Sequence, residues 1–172
     1  PAARESVLRG THLYMGEDGQ GLTIYDVSDP TSPTIVSLID VNAQVWGLDV
    51  AGDYAFCACM SYGLRIVDVS DPANPVHVSS LDTANSARDG FVVGDVGVRG
   101  DNDGIYMIDL RAACGPRVVG AMATVGEPRD VVIDGDLAYL AAYSDGVEVV
   151  DVSDPTAPFS LGSLNTTSSN HA

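Results

Sequence analysis

A ten-residue phrase recurs along this chain. Gly21-Leu-Thr-Ile-Tyr-Asp26-Val-Ser-Asp29-Pro30 returns as Gly63-Leu-Arg-Ile-Val-Asp68-Val-Ser-Asp71-Pro72 and again as Gly146-Val-Glu-Val-Val-Asp151-Val-Ser-Asp154-Pro155, with a degraded copy at Gly104-Ile-Tyr-Met-Ile-Asp109-Leu. The key aspartates, 26, 68, 109 and 151, are spaced by 42, 41 and 42 residues. A fixed period of that length is the mark of solenoids and propellers, in which each unit buries its apolar faces against its neighbours. A second proline follows each aspartate by seven residues, at Pro33, Pro75, Pro116 and Pro158.

Aligned on these landmarks, one unit reads as four short strands, 46–50, 54–59, 64–69 and 76–81, each rich in Val, Ile or Tyr and stopped by Gly, Asp or Pro. Four strands of ~5–6 residues with tight connections use ~40 residues, the size of one propeller blade. Leucine-rich and β-helix units are shorter, and tetratricopeptide or HEAT units are helical. The expected fold is therefore all-β: a propeller-type repeat of four four-stranded antiparallel blades, over about 4–41, 45–82, 87–124 and 128–164, with a tail at 165–172.

At 172 residues the chain is one domain, and a multidomain enzyme is excluded. It begins at Pro1 and reads as a piece of something longer. It opens on an innermost strand (5–10, matching 47–52) and ends after an outermost one (159–164), so no strand is left over to lock a ring. An open arc would expose one apolar face at each end, several hundred Å² apiece and roughly 10 kcal/mol each at ~25 cal/mol/Å². A closed four-blade ring, pairing with another chain, or further blades would each cover those faces.

The phrase Leu64-Arg-Ile-Val-Asp-Val-Ser-Asp-Pro72 and its two siblings resemble the LVIVD repeat, a β-propeller-type repeat of secreted and surface proteins. The resemblance covers residues 4–164. It implies an extracellular or cell-surface interaction scaffold, with a protein partner or self-association, rather than a reaction.

Composition narrows the chemistry. Acids number 24 against 8 bases, all of them Arg, for a net charge of −16. Nucleic acid is an unsuitable partner for such a surface, no apolar run reaches the ~18 residues of a membrane helix, and no Lys exists to form a Schiff base or hold a phosphate. There is no Gly-x-Ser-x-Gly elbow, no His-Glu-x-x-His and no phosphate loop. Cys57 and Cys59 lie two apart on one strand face with no zinc-spaced partner, which reads as small core packing; Cys114 falls in a turn. Asn165-Thr166-Thr167 is a glycosylation sequon.

A residue that recurs in every blade is structural, because catalysis needs its residues once. The repeated Asp and Ser accept backbone hydrogen bonds in the turn before the return strand. Candidate sites are sought where blades differ. The third blade departs most, and Asp101, Asn102 and Asp103 have the oxygen donors of a calcium loop, although Asp-Asn-Asp-Gly is equally a turn sequence and the downstream Glu of an EF-hand is missing. No other cofactor is expected. Along the first strands Arg4, Trp46, Arg88 and Arg129 align, with Glu5, Gly47, Asp89 and Asp130 beside them. Arg4, Trp46, Arg88, Asp89, Arg129 and Asp130 would ring one mouth of the central channel. They would either bind a carboxylate ligand or, each Arg paired with the neighbouring blade's acid, tie the ring together. A hydrolase or lyase using these Arg and Asp residues is the alternative to a non-catalytic scaffold.

Overall fold

Segments of five to seven residues, cut off by Gly, Asp and Pro, form sixteen strands among the described residues of the computed structural model. The structure describes residues 2–19, 21–81, 89–93, 96–101, 104–110 and 117–166, with backbone alone at 89–93 and 101. The first sheet comprises β1 (Ala3–Arg9), β2 (His12–Glu17), β3 (Gly21–Asp26) and β4 (Thr34–Ile39). The second comprises β5 (Gly47–Ala51), β6 (Tyr54–Ala58), β7 (Leu64–Asp68) and β8 (Val76–Leu81). The third holds β9 (Asp89–Val93), β10 (Val96–Asp101), β11 (Gly104–Asp109) and β12 (Arg117–Ala123). The fourth holds β13 (Asp130–Asp134), β14 (Leu137–Ala141), β15 (Val147–Asp151) and β16 (Phe159–Leu164). Every sheet is an antiparallel meander in sequence order. Strand ends differ from the sequence reading by a residue or two, as at β5, which starts at Gly47 although the Trp46 amide still donates to the Ala58 carbonyl.

Two glycine positions explain much of the connection pattern. Gly10, Gly52 and Gly135 take φ of +55 to +60° in two-residue hairpin turns between the first and second strands, a backbone conformation that carries the strand twist through the turn. Gly21, Gly104 and Gly146 open the third strand with φ of +90°, +154° and +88°. A Cβ there would also strike the blade's own outermost strand, at the carbonyls of Ile39, Met122 and Leu164 respectively. Positive φ and close backbone approach together exclude any side chain.

After the third strand the chain turns on two consecutive carboxylates. Asp26, Asp68 and Asp151 accept from the amides of Ser28, Ser70 and Ser153; Asp29, Asp71 and Asp154 accept from those of Thr31, Ala73 and Thr156. The turn is fastened to the first hairpin by the amides of Val27, Val69 and Val152, which donate to Thr11, Asp53 and Asp136. In each blade a β-bulge then interrupts the pairing of the third and fourth strands, between Ile24 and Tyr25, Ile66 and Val67, Met107 and Ile108, and Val149 and Val150.

The core lies between sheets. Leu22, Ile24 and Tyr14 of the first sheet meet Val50, Ala55, Cys57 and Val67 of the second. Phe56, Leu64 and Ile66 of the second meet Ile108 of the third. Val98, Ile105 and Met107 of the third meet Val131, Ala138, Leu140 and Val150 of the fourth. Cys57 and Cys59 are free and belong to the first of these layers. Burial pushes the Cys57 thiol well up and the Cys59 thiol to about 12, so neither is a thiolate at neutral pH. Along the axis β1 packs on β5, β5 on β9 and β9 on β13, and no comparable contact joins β13 to β1. The four blades form an arc.

Two outcomes follow. Gly52→Ala meets nothing within 4 Å and is expected to cost only the ~1–2 kcal/mol of a left-handed residue. Gly146→Ala adds a clash with the Leu164 backbone and should unfold at distinctly lower denaturant; equal midpoints would show that the contact is dispensable. The second concerns pH. Hydrogen bonds from Ser28, Thr31, Ser70, Asn74, Ser153 and Thr156, through side chain or backbone, are the leading causes that hold the six turn aspartates below the ordinary 3.8. A depressed folded pKa contributes stability that is whole above the unfolded value and lost as pH falls through the folded one. With a pI near 4.1, acidification from pH 7 first relieves charge repulsion. At low ionic strength Tm should rise toward pH 4.5 and drop steeply below about 3.8; a steady fall from pH 7 in a calorimeter would contradict this.

Candidate functional site

In the first and fourth blades the arginine that leads the first strand is covered by the residue that turns the same blade from its second strand into its third. In the first blade Arg4 donates to both oxygens of Asp18, Nε at 3.0 Å and Nη2 at 2.6 Å. That bond is the main reason the Asp18 carboxyl sits below its usual value. The Arg4 guanidinium also lies 3.9 Å over the ring of Trp46, which leads the second blade. In the fourth blade Arg129 donates to Glu127 at 3.3 Å and lies 4.0 Å over the ring of Tyr143. Met60 and Tyr143 hold equivalent turn positions and both have positive φ, +51° and +42°.

The structure therefore brings together Arg4 and Trp46 and places Arg129 and Asp130 at the far end of the arc, where Asp130 pairs across β13 and β14 with Ala141. Arg4 takes an acid from its own blade and Arg129 one from the segment that leads into its own, and each adds an aromatic face that spacing alone does not reveal. A guanidinium stacked on a ring and paired with a carboxylate is already satisfied electrostatically. Arg88, Asn102 and Asp103 lie outside the described residues, as do the side chains of Asp89 and Asp101. The anion-collar and calcium readings at those positions rest on sequence. Among the described residues, no three of His, Cys, Asp and Glu stand where they could share a metal ion.

Beside Trp46 a shallow cleft of about 510 Å³ opens between Gly19, Asn42, Gln44, Met60, Ser61 and Tyr62. Trp46 Nε1 is buried there without a hydrogen-bond partner among the described residues. The walls combine amide and hydroxyl groups with Ala43, Met60 and the rings of Trp46 and Tyr62, and the one thiol, Cys59, is protonated. The cleft is suited to contact and carries no described acid and base pair.

Elsewhere the buried charges are occupied. Glu148 accepts from the Val125 amide at 2.9 Å and the Ser160 hydroxyl at 2.6 Å, which is why a carboxylate can stand in a sheet interior. Arg99, on the third blade's polar second strand, is buried with its guanidinium 5.5 Å from the Tyr106 ring centre.

The architecture is shared with designed proteins. The computationally designed Ika4 protein superposes with a TM-score of 0.73 at 10% identity, over 88% of this chain and 91% of that one. Ika8, also designed, superposes with a TM-score of 0.75 at 7% identity, over 94% of this chain but 48% of its own. Such identities speak to the propeller fold alone. No curated protein matches the chain in sequence. The family model described as the LVIVD repeat matches residues 2–41, 43–83 and 125–166, passing over the third blade, whose turn has lost the Asp-Val-Ser-Asp-Pro sequence. With three matched copies covering well over half of its length, the chain belongs to the LVIVD-repeat family.

Proposed function

We propose that this chain is a non-catalytic binding or structural scaffold that works outside the cell or at its surface, with protein as its partner. The observation that carries the reading is the engagement of the mouth cations: Arg4 is taken by Asp18 and Trp46, and Arg129 by Glu127 and Tyr143. A site for an acidic small molecule, or a hydrolase or lyase built from these residues, needs a guanidinium turned toward the ligand, and both arginines of the mouth among the described residues are already taken. The repeated aspartates Asp26, Asp68 and Asp151 are likewise engaged, in their own turns. A surface of charge −16 without Lys suits contact in saline surroundings, where screening shortens its reach to ~10 Å. No described helix is long and apolar enough to cross a membrane.

Trp46 is the single tryptophan, so its fluorescence reports on this mouth. Titration with succinate, citrate and an Asp/Glu-rich decapeptide is expected to leave the emission unchanged up to millimolar concentrations. A saturable change that disappears in Arg4→Ala, or turnover of an ester or lactone that disappears in Arg129→Ala, would replace the scaffold by the anion-site or enzyme reading. Location is checked separately: an antibody against the chain should label intact cells of the source organism, and labelling that requires permeabilisation would refute the surface assignment.

A further inference from the structure

The two end faces of the arc are the two halves of the interface that already recurs inside it. Equivalent positions make this visible. On the face that each blade turns toward the next, Tyr14, Phe56 and Val98 are 5%, 4% and 2% exposed, whereas Tyr139 of the fourth blade is 40% exposed. Leu22, Leu64 and Ile105 are 0%, 3% and 0% exposed, against 40% for Val147. On the face turned toward the preceding blade, Val50 is 2% exposed and its first-blade equivalent Leu8 is 61%.

The outermost strands show the same gap at finer grain. Ser37 donates from its hydroxyl to the Pro72 carbonyl of the next blade at 2.6 Å. Its equivalent Gly120 lies so close to the Pro155 carbonyl of the next blade that a Cβ would strike it. Their fourth-blade equivalent, Gly162, has nothing within 4 Å of a Cβ. Correspondingly Pro72 and Pro155 are half-buried, while Pro30 of the first blade is exposed. The bulge residues Val36 and Val119 pack onto the layers shared with the next blade; Leu161, at the same place in the fourth, is 53% exposed beside Val147, Val149 and Leu164.

From these correspondences we infer that a second copy of this chain completes the arc head to tail. The fourth blade of each copy covers the first blade of the other, Gly162 meets the Pro30 turn, and Tyr139, Val147 and Leu161 close over Leu8, Tyr25 and Ile35. The faces that meet are different ones, so a single junction would propagate; two junctions close into a ring where the rotation allows. The rotation is supported by Ika8, a propeller whose single chain continues to about twice the span that superposes on this arc. Like-charged copies repel, so the pair should form more readily as salt rises. The inference rests on the scaffold reading above and names its partner; it is read from particle mass, which neither the fluorescence titration nor the turnover assay measures.

Size-exclusion chromatography with light scattering at 10–500 µM and 0.05–0.5 M NaCl should give twice 17.9 kDa. Val147→Asp and Leu8→Asp each alter an exposed position and should give monomers with unchanged β-sheet circular dichroism. Mixing the two variants leaves one native junction and should restore the paired mass with affinity at least tenfold weaker. A monomer throughout overturns the inference. So does pairing that survives Leu8→Asp but not Val147→Asp, which would mean like faces meeting, or a mass that grows without limit, which would mean that two copies do not close.

Discussion

Burial of sheet faces between successive blades is the interaction on which the rest depends. A four-stranded meander has two faces, and residues alternate between them along every strand, so a lone blade of this composition leaves the apolar residues of both faces in water. The three layers that join the four sheets are built from Val, Ile, Leu and small residues such as Ala55, Cys57 and Ala138, which let the sheets approach. At roughly 1.5–3 kcal/mol for each buried large aliphatic side chain, these layers dominate the folding energy. The hydrogen-bonded turns add less, but they set where each blade begins and ends.

The turn chemistry and the stacking are linked through the third strand. The paired aspartates hold the chain in a compact return, the Val that separates them reaches back to the first hairpin, and the bulge that follows moves one side chain of the outermost strand toward the next sheet. A glycine at the other end of the same strand keeps the outermost strand close. Each repeated residue therefore serves the packing of one blade on the next, which is why it recurs at the same register while the residues between the strands vary.

Much of this was legible because period, turn residues and alternation act locally. The Gly, Asp and Pro positions delimit the strands, and Cys57 and Cys59 are recognised as core by their alignment with Leu140 and Ala142, all of which are buried. The candidate mouth was less legible. Spacing aligned Arg4 with Trp46, yet it could not show the guanidinium lying across the indole, or Asp18 of the same blade as its partner, because both depend on how far one blade is rotated from the next. The third blade is the other instance. Its second strand has few apolar residues, and β10 forms as the period expects, with Val98 in the core and Arg99 buried near Tyr106. An arginine whose plane meets an aromatic ring can occupy a site where the alignment shows only the loss of an apolar residue.

The distribution of exposed surface also bears on how such an arc avoids uncontrolled aggregation. Sheets can associate along their edges as well as through their faces, and an exposed edge strand offers unpaired backbone groups to any other strand. Here each outermost strand carries a bulge opposite the same position of its partner and, in β4, β8 and β16, follows a proline turn, at Pro33, Pro75 and Pro158. A bulged strand is twisted and presents an irregular ladder, so strand addition at the rim is disfavoured. The end faces carry no such protection: their central positions are Val132, Tyr139 and Val149 on one side and Leu13, Met15 and Tyr25 on the other. Charge is kept to their margins, at Asp130, Asp134 and Asp151. Edges guarded and faces left apolar channel association into the one geometry that the blades already use among themselves.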